Sequence, residues 1–145
     1  MSTHDRRKAL VEILKAWQAL EARSVTQSAA IGDRTHNPVL RLVMDILRRD
    51  AAMHHRVQQF LIETMTRRAV ALTVEDLEQV WAALETHAAE ERETARLAAA
   101  ARDALAGTED VVQGYLLSWL DAGVRTHDQL LAGLELIRRG AYRAA

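Results

Sequence analysis

Residues 37–68, NPVLRLVMDILRRDAAMHHRVQQFLIETMTRR, decide the fold. Asn37 can accept hydrogen bonds from the free amides of a starting helix, and Pro38 suits the first helical position because no donor is needed there. Leu40, Val43, Leu47, Val57 and Leu61 then recur at steps of three and four, the spacing of one helix face. Arg67 and Arg68 fall where the negative end of the helix dipole would be. The stretch predicts a helix from Pro38 to about Arg68.

Three further segments have the same character. The first runs from about Thr3 to Ile31 through Leu10, Ile13, Leu14, Trp17 and Leu20, with Gly32 as its end. The third is capped by Thr73, with Glu75 and Asp76 in its first turn; Leu77, Trp81 and Leu84 lead into an Ala-rich half ending at Gly107. The fourth is capped by Thr108, with Glu109 and Asp110 in its first turn, and Leu116, Trp119, Leu120, Leu130, Leu134 and Ile137 carry it to Gly140. Each helix has roughly 28 to 32 residues, about 45 Å at 1.5 Å per residue. Four equal helices joined by short polar loops predict an all-α fold: a single four-helix antiparallel bundle over residues 1–145. Residues 69–73 are too few for a long crossover, so up-down-up-down connectivity is favoured.

Composition agrees. Of 145 residues 49% are hydrophobic, and with three Trp, two Tyr and one Phe the core must be built from Leu, Ile, Val and Ala. A formal net charge of −1 and scattered basic residues argue against a nucleic-acid partner. The longest apolar run, Tyr115 to Leu120, is soon followed by Asp121, Arg125 and Asp128, which argues against a membrane span. The start MSTHDRRKAL lacks a secretory h-region, and no cysteine is present, so the expected location is cytoplasmic; disulfides and thiolate-held metals are excluded.

Extending each apolar stripe brings polar residues inward near the midpoint of every helix: Glu21 on the first, His54 on the second, His87 and Glu91 on the third, His127 on the fourth. In an antiparallel bundle these midpoints share one height. Buried carboxylates need partners. A metal ion is one solution, because carboxylate with imidazole suits iron, manganese or zinc. A hydrogen-bonded Glu–His network is the other. Asp50, one turn before His54, could ligate or orient an imidazole. Nothing resembles a phosphate loop, a Ser-His-Asp constellation or a paired-carboxylate glycosidase motif.

RRDAAMHHRVQQF (48–60), ETHAAEERETARLA (85–98) and YLLSWLDAGVRTHDQLL (115–131), with the helical layout, resemble the ferritin-like superfamily and its rubrerythrin-like members. The resemblance implies one Glu from each of two helices and a Glu-x-x-His pair from each of the other two. Glu21, His54, Glu91 and His127 match; Ala51 and Val124 stand where the pair carboxylates would be. The resemblance therefore implies an atypical or mononuclear site, with His87 as an extra ligand, rather than a di-iron oxidoreductase. The alternative is a non-catalytic interaction bundle without metal. His87-x-x-x-Glu91 also fits one hemerythrin helix motif, although the first helix has no inward His. A second apolar stripe, Val39, Leu42, Ile46, Met53 and Phe60, either widens the core contact or forms a homodimer seam.

Overall fold

A computed structural model describes residues 1–143. It contains four α-helices, α1 (Thr3–Asp33), α2 (Pro38–Thr66), α3 (Val74–Leu105) and α4 (Val111–Arg138), and no strand among the described residues. The all-α, four-helix architecture is the one the periodicity predicts.

The helix starts follow from local chemistry. Ser2 Oγ accepts from the Asp5 amide at 3.1 Å while Asp5 accepts from the Ser2 amide at 3.2 Å, so two otherwise unpaired donors are satisfied reciprocally. Thr73 and Asp76 do the same at α3, at 3.1 and 2.9 Å. Asn37 Oδ1 accepts from Val39 and Leu40, as expected at α2. The fourth start differs from expectation. Thr108 caps nothing ahead of it; its hydroxyl donates back to the Leu105 carbonyl at 2.8 Å. Asp110 occupies the N-cap position without a side-chain capping bond, and α4 has no acid in its first turn.

Two ends also need comment. Gly107, after α3, has φ +76°, and Gly140, after α4, has φ +70°, where other residues are strained. Gly32 does not end α1. It lies inside the helix, and a Cβ there would stand 3.6 Å from Met44 Cβ, so this glycine marks close approach to α2.

The chain divides into two compact units. The first, Met1–Val70, holds α1 and α2; the second, from Ala71 onward, holds α3 and α4. Each is an antiparallel helical hairpin. In the first, Gln18 meets Gln59, Glu21 meets His54 and Gly32 meets Met44, a constant antiparallel register. In the second, Glu78 meets Arg138, Glu91 meets His127 and Arg102 meets Asp121.

The α1–α2 contact uses a different stripe from the one the apolar spacing predicts. Val11, Leu14 and Ile62 form its buried cluster, with Met65 against it, and Ala51, Ser28 and Gln58 are also buried. Leu10, Ile13, Trp17 and Leu20 lie outside it, as do Leu40, Leu47, Val57 and Leu61. The reason is geometric. Two helices in contact cover a narrow seam, whereas the apolar face of α1 is wider than that seam. Val11 and Gln18 take the places expected for Leu10 and Trp17 beside the shared Leu14 and Glu21. In the second unit Leu77 is buried, Trp81, Leu84, Leu116 and Leu134 are half-buried, and Trp119, Leu120 and Leu130 are exposed.

Candidate metal centre

Every inward polar residue expected from the sequence falls into one of two cross-helix clusters, one per hairpin. In the first, His54 Nδ1 lies 3.2 Å from Glu21 Oε1. The same oxygen accepts from Trp17 Nε1 at 3.1 Å, one turn back along α1. The Glu21 side chain is only 14% exposed, whereas His54 is 59% exposed. The carboxylate is thus drawn into the helix contact and the imidazole covers it from the solvent side.

In the second hairpin, His127 Nδ1 lies 3.2 Å from Glu91 Oε1. His87 Nε2, one turn before Glu91 on α3, approaches the same oxygen at 3.3 Å. Glu91 is 13% exposed; His87 and His127 are 54% and 61% exposed. The imidazoles at 54, 87 and 127 therefore do not lie on buried seams as the stripe argument expects. A side chain ending in a polar ring keeps its tip in water while its stem covers the contact. Glu91 Oε2 is sealed from solvent and has no hydrogen-bond partner.

The remaining candidates are accounted for by their contacts. Asp50 is exposed. Asp121, largely buried, is committed to Arg102 at 3.1 Å and to Arg125, one turn along α4. His55 is half-buried, and its backbone carbonyl lies 3.5 Å from the Gln18 amide nitrogen. Glu90 reaches His87 only at 3.7 Å and is exposed. Ala51 is buried and Val124 half-buried, the two positions where the ferritin-like resemblance would imply a carboxylate.

Sequence reasoning missed the part played by the tryptophans. Trp17 and Trp81 stand on the apolar stripes, yet each donates its indole N–H to a glutamate four residues on, Trp17 to Glu21 and Trp81 to Glu85 at 3.0 Å. The signal was present, because Trp-x-x-x-Glu occurs twice and residues four apart are neighbours on a helix. Trp81 also carries the Arg138 guanidinium 4.2 Å above its ring. Glu78 binds that guanidinium at 2.8 Å and raises its pKa, so the charge stays fixed. Gln58 was passed over as well; it is 3% exposed, and its Oε1 has no partner.

No group of three or more His, Cys, Asp or Glu side chains among the described residues converges as a metal-holding set. No helix among them is long and apolar enough to cross a membrane. No family model matches the chain, and no match was found among curated proteins or solved structures.

Proposed function

We propose that the chain is a ferritin-like helical protein with a mononuclear transition-metal site on the α3–α4 hairpin, built from His87, Glu91 and His127. The observation that carries this reading is the state of Glu91: Oε1 is shared by two imidazole nitrogens, while Oε2 is buried with no partner. A buried acceptor left unpaired costs about 1–3 kcal/mol, more when charged. A cation bound by the carboxylate would offset part of that cost. Iron, manganese and zinc all suit a carboxylate with imidazoles. Two separations, 3.2 and 3.3 Å from Glu91 Oε1 to the His127 and His87 nitrogens, match the roughly 3.3 Å edge of a tetrahedral shell with bonds of about 2.0–2.1 Å. Both rings are more than half exposed, so turning their lone pairs toward an ion disturbs no packed side chain. A Glu on the first helix and a His on the second, in each hairpin, also parallels the ferritin-like pattern. Ala51 and Val124 in place of the pair carboxylates keep the reading to one ion and away from di-iron oxidase chemistry.

The test is metal uptake. Chelator-treated protein is dialysed separately against Zn(II), Mn(II) and Fe(II) under anaerobic conditions and then analysed for metal. One ion per chain is expected from at least one of the three, weakened roughly tenfold or more by Glu91→Gln or His127→Ala. Wild-type protein that takes up none of them ends this reading.

A second reading, an interaction protein without metal, has its own support. The Glu–His pairs hydrogen-bond to one another as they stand. Leu42, Met53 and Phe60 on α2 lie exposed outside the hairpin contact, with Val39 and Ile46 half-buried beside them. A homodimer formed on this face would be seen by light scattering, and a clean monomer would remove it.

A further inference from the structure

The two hairpins carry opposite charge. Met1–Val70 holds 12 Lys and Arg against 7 Asp and Glu, a formal +5, whereas residues 71–145 hold 7 against 13, a formal −6. The net charge of −1 is the near-cancellation of the two. Little of the positive excess is neutralised inside the first hairpin. Among the described residues only Lys15, Arg48 and Arg49 of its Lys and Arg stand in ion pairs, and Arg23 and Arg56 are exposed with none. In the second hairpin Asp121 is held by Arg102 and Arg125, whereas Asp103 and Asp128 are exposed and form no ion pair among the described residues.

Each hairpin also leaves apolar side chains uncovered on the side of its central glutamate. Glu21 Oε1 meets both Trp17 and His54, so the α1 row Leu10, Ile13, Trp17, Leu20 and the α2 row Leu47, His54, Val57, Leu61 flank the seam on one side. Every side chain in these two rows is exposed. Glu91 Oε1 likewise meets His87 and His127, which sets Val80 of α3, seven residues before His87, on the same side as Leu120 and Leu130 of α4; all three are exposed. Folded proteins rarely leave an apolar surface of this extent in water unless it is an interaction site. A second basic hairpin would cover the α1–α2 rows only by bringing +5 against +5, and like charges set face to face oppose docking. An acidic helical hairpin with apolar side chains of its own has the complementary surface, and a second copy of the chain supplies one.

We infer that the basic α1–α2 hairpin of one copy docks the acidic α3–α4 hairpin of a second copy, and that the second copy does the same in return, as a two-fold dimer. Each copy offers both surfaces, so the contact is made twice and the assembly closes. This rests on the interaction reading given above and deepens it by naming the occupant: the face that Met53 and Phe60 extend takes an acidic partner, not another basic hairpin.

Analytical ultracentrifugation of the full chain tests it, at about 0.05 M and about 0.5 M NaCl, because salt screens attraction between exposed charges. Two variants accompany wild type. Arg23→Glu with Arg56→Glu takes the first hairpin from +5 to +1, and Asp103→Lys with Asp128→Lys takes the second from −6 to −2. Wild type is expected to dimerise, with a dissociation constant that rises roughly tenfold or more across that salt range. Each variant is expected to weaken the dimer about as much at the lower salt. A dimer joined through two basic hairpins would instead tighten when Arg23 and Arg56 are reversed. That result, or a dimer indifferent to salt and to both variants, overturns the inference and leaves the homodimer reading standing. A monomer under every condition defeats both. If circular dichroism shows a variant unfolded, the salt dependence of wild type decides.

Discussion

Replacing Gln58 with Met should make the protein more stable, although it removes a polar group from a helix contact. Gln58 lies on α2 between buried Ala51 and Ile62, is itself 3% exposed, and leaves Oε1 without a hydrogen-bond partner. In the unfolded chain that oxygen is hydrated. The folded state thus carries the desolvation of an unmade bond, about 1–3 kcal/mol. Met is unbranched and of similar length, with nearly the same helix propensity, so the helix term cancels and little packing changes. A net gain of about 1–2 kcal/mol is expected. With a urea dependence of about 2 kcal/mol/M, the unfolding midpoint should rise by roughly 0.5–1 M at unchanged slope. Gln59 is the control. It accepts from Gln18 at 2.9 Å and donates to Glu63 at 3.0 Å, so Gln59→Met strands two partners and should cost about 1 kcal/mol. A midpoint that falls for Gln58→Met as it does for Gln59→Met would refute the reasoning, because the Gln58 amide would then be contributing bonds rather than lacking one.

Three further outcomes follow from the helix starts and the core. Thr73→Ala removes a reciprocal cap and should destabilise by about 1 kcal/mol in urea, whereas Thr108→Ala, which caps no helix, should cost under about 0.5 kcal/mol. The Asp76 carboxyl is held below the usual carboxylate range, first by the Thr73 backbone amide and then by its hydroxyl. Its contribution is complete above the unfolded pKa and is lost as pH falls below about 4, so Asp76→Asn should flatten the acid limb of a midpoint-versus-pH curve. Leu14→Ala, at a position 3% exposed within the Val11–Ile62 cluster, should cost about 2–5 kcal/mol by the same urea measurement.

The fold was legible because its signals are local. Asn37-Pro38, Thr73 with Asp76, and the glycines at 107 and 140 act through bonds and dihedrals within a few residues, and each is found at a helix boundary. The misreadings share a cause. Thr108 and Asp110 are both competent caps, and only the path of the loop between α3 and α4 selects where α4 begins. Leu10 and Val11, or Trp17 and Gln18, are adjacent positions about 100° apart around α1. Apolar spacing marks a whole apolar face, and α2 occupies only one edge of it. Glu21 meets His54 and Glu91 meets His127 all the same, because the glutamates lie on the stripe whichever edge is chosen and an extended imidazole reaches across to them.

The seam that results is unusually polar for a helix contact, and this bears on what the polar residues do. Within the first hairpin the buried apolar side chains are Val11, Leu14, Ala51 and Ile62. Gln18–Gln59 and Glu21–His54 bridge α1 and α2, while Gln59–Glu63 lies within α2. A one-residue slide of α2 along α1 leaves a broad apolar face almost as well matched, yet it breaks the Gln18 and Glu21 cross-helix bonds and exposes a largely buried carboxylate to an empty contact. Polar pairs at a helix seam are best attested in fixing register rather than in adding net stability. The same kind of cross-helix contact holds Glu91 beside two imidazoles in the second hairpin.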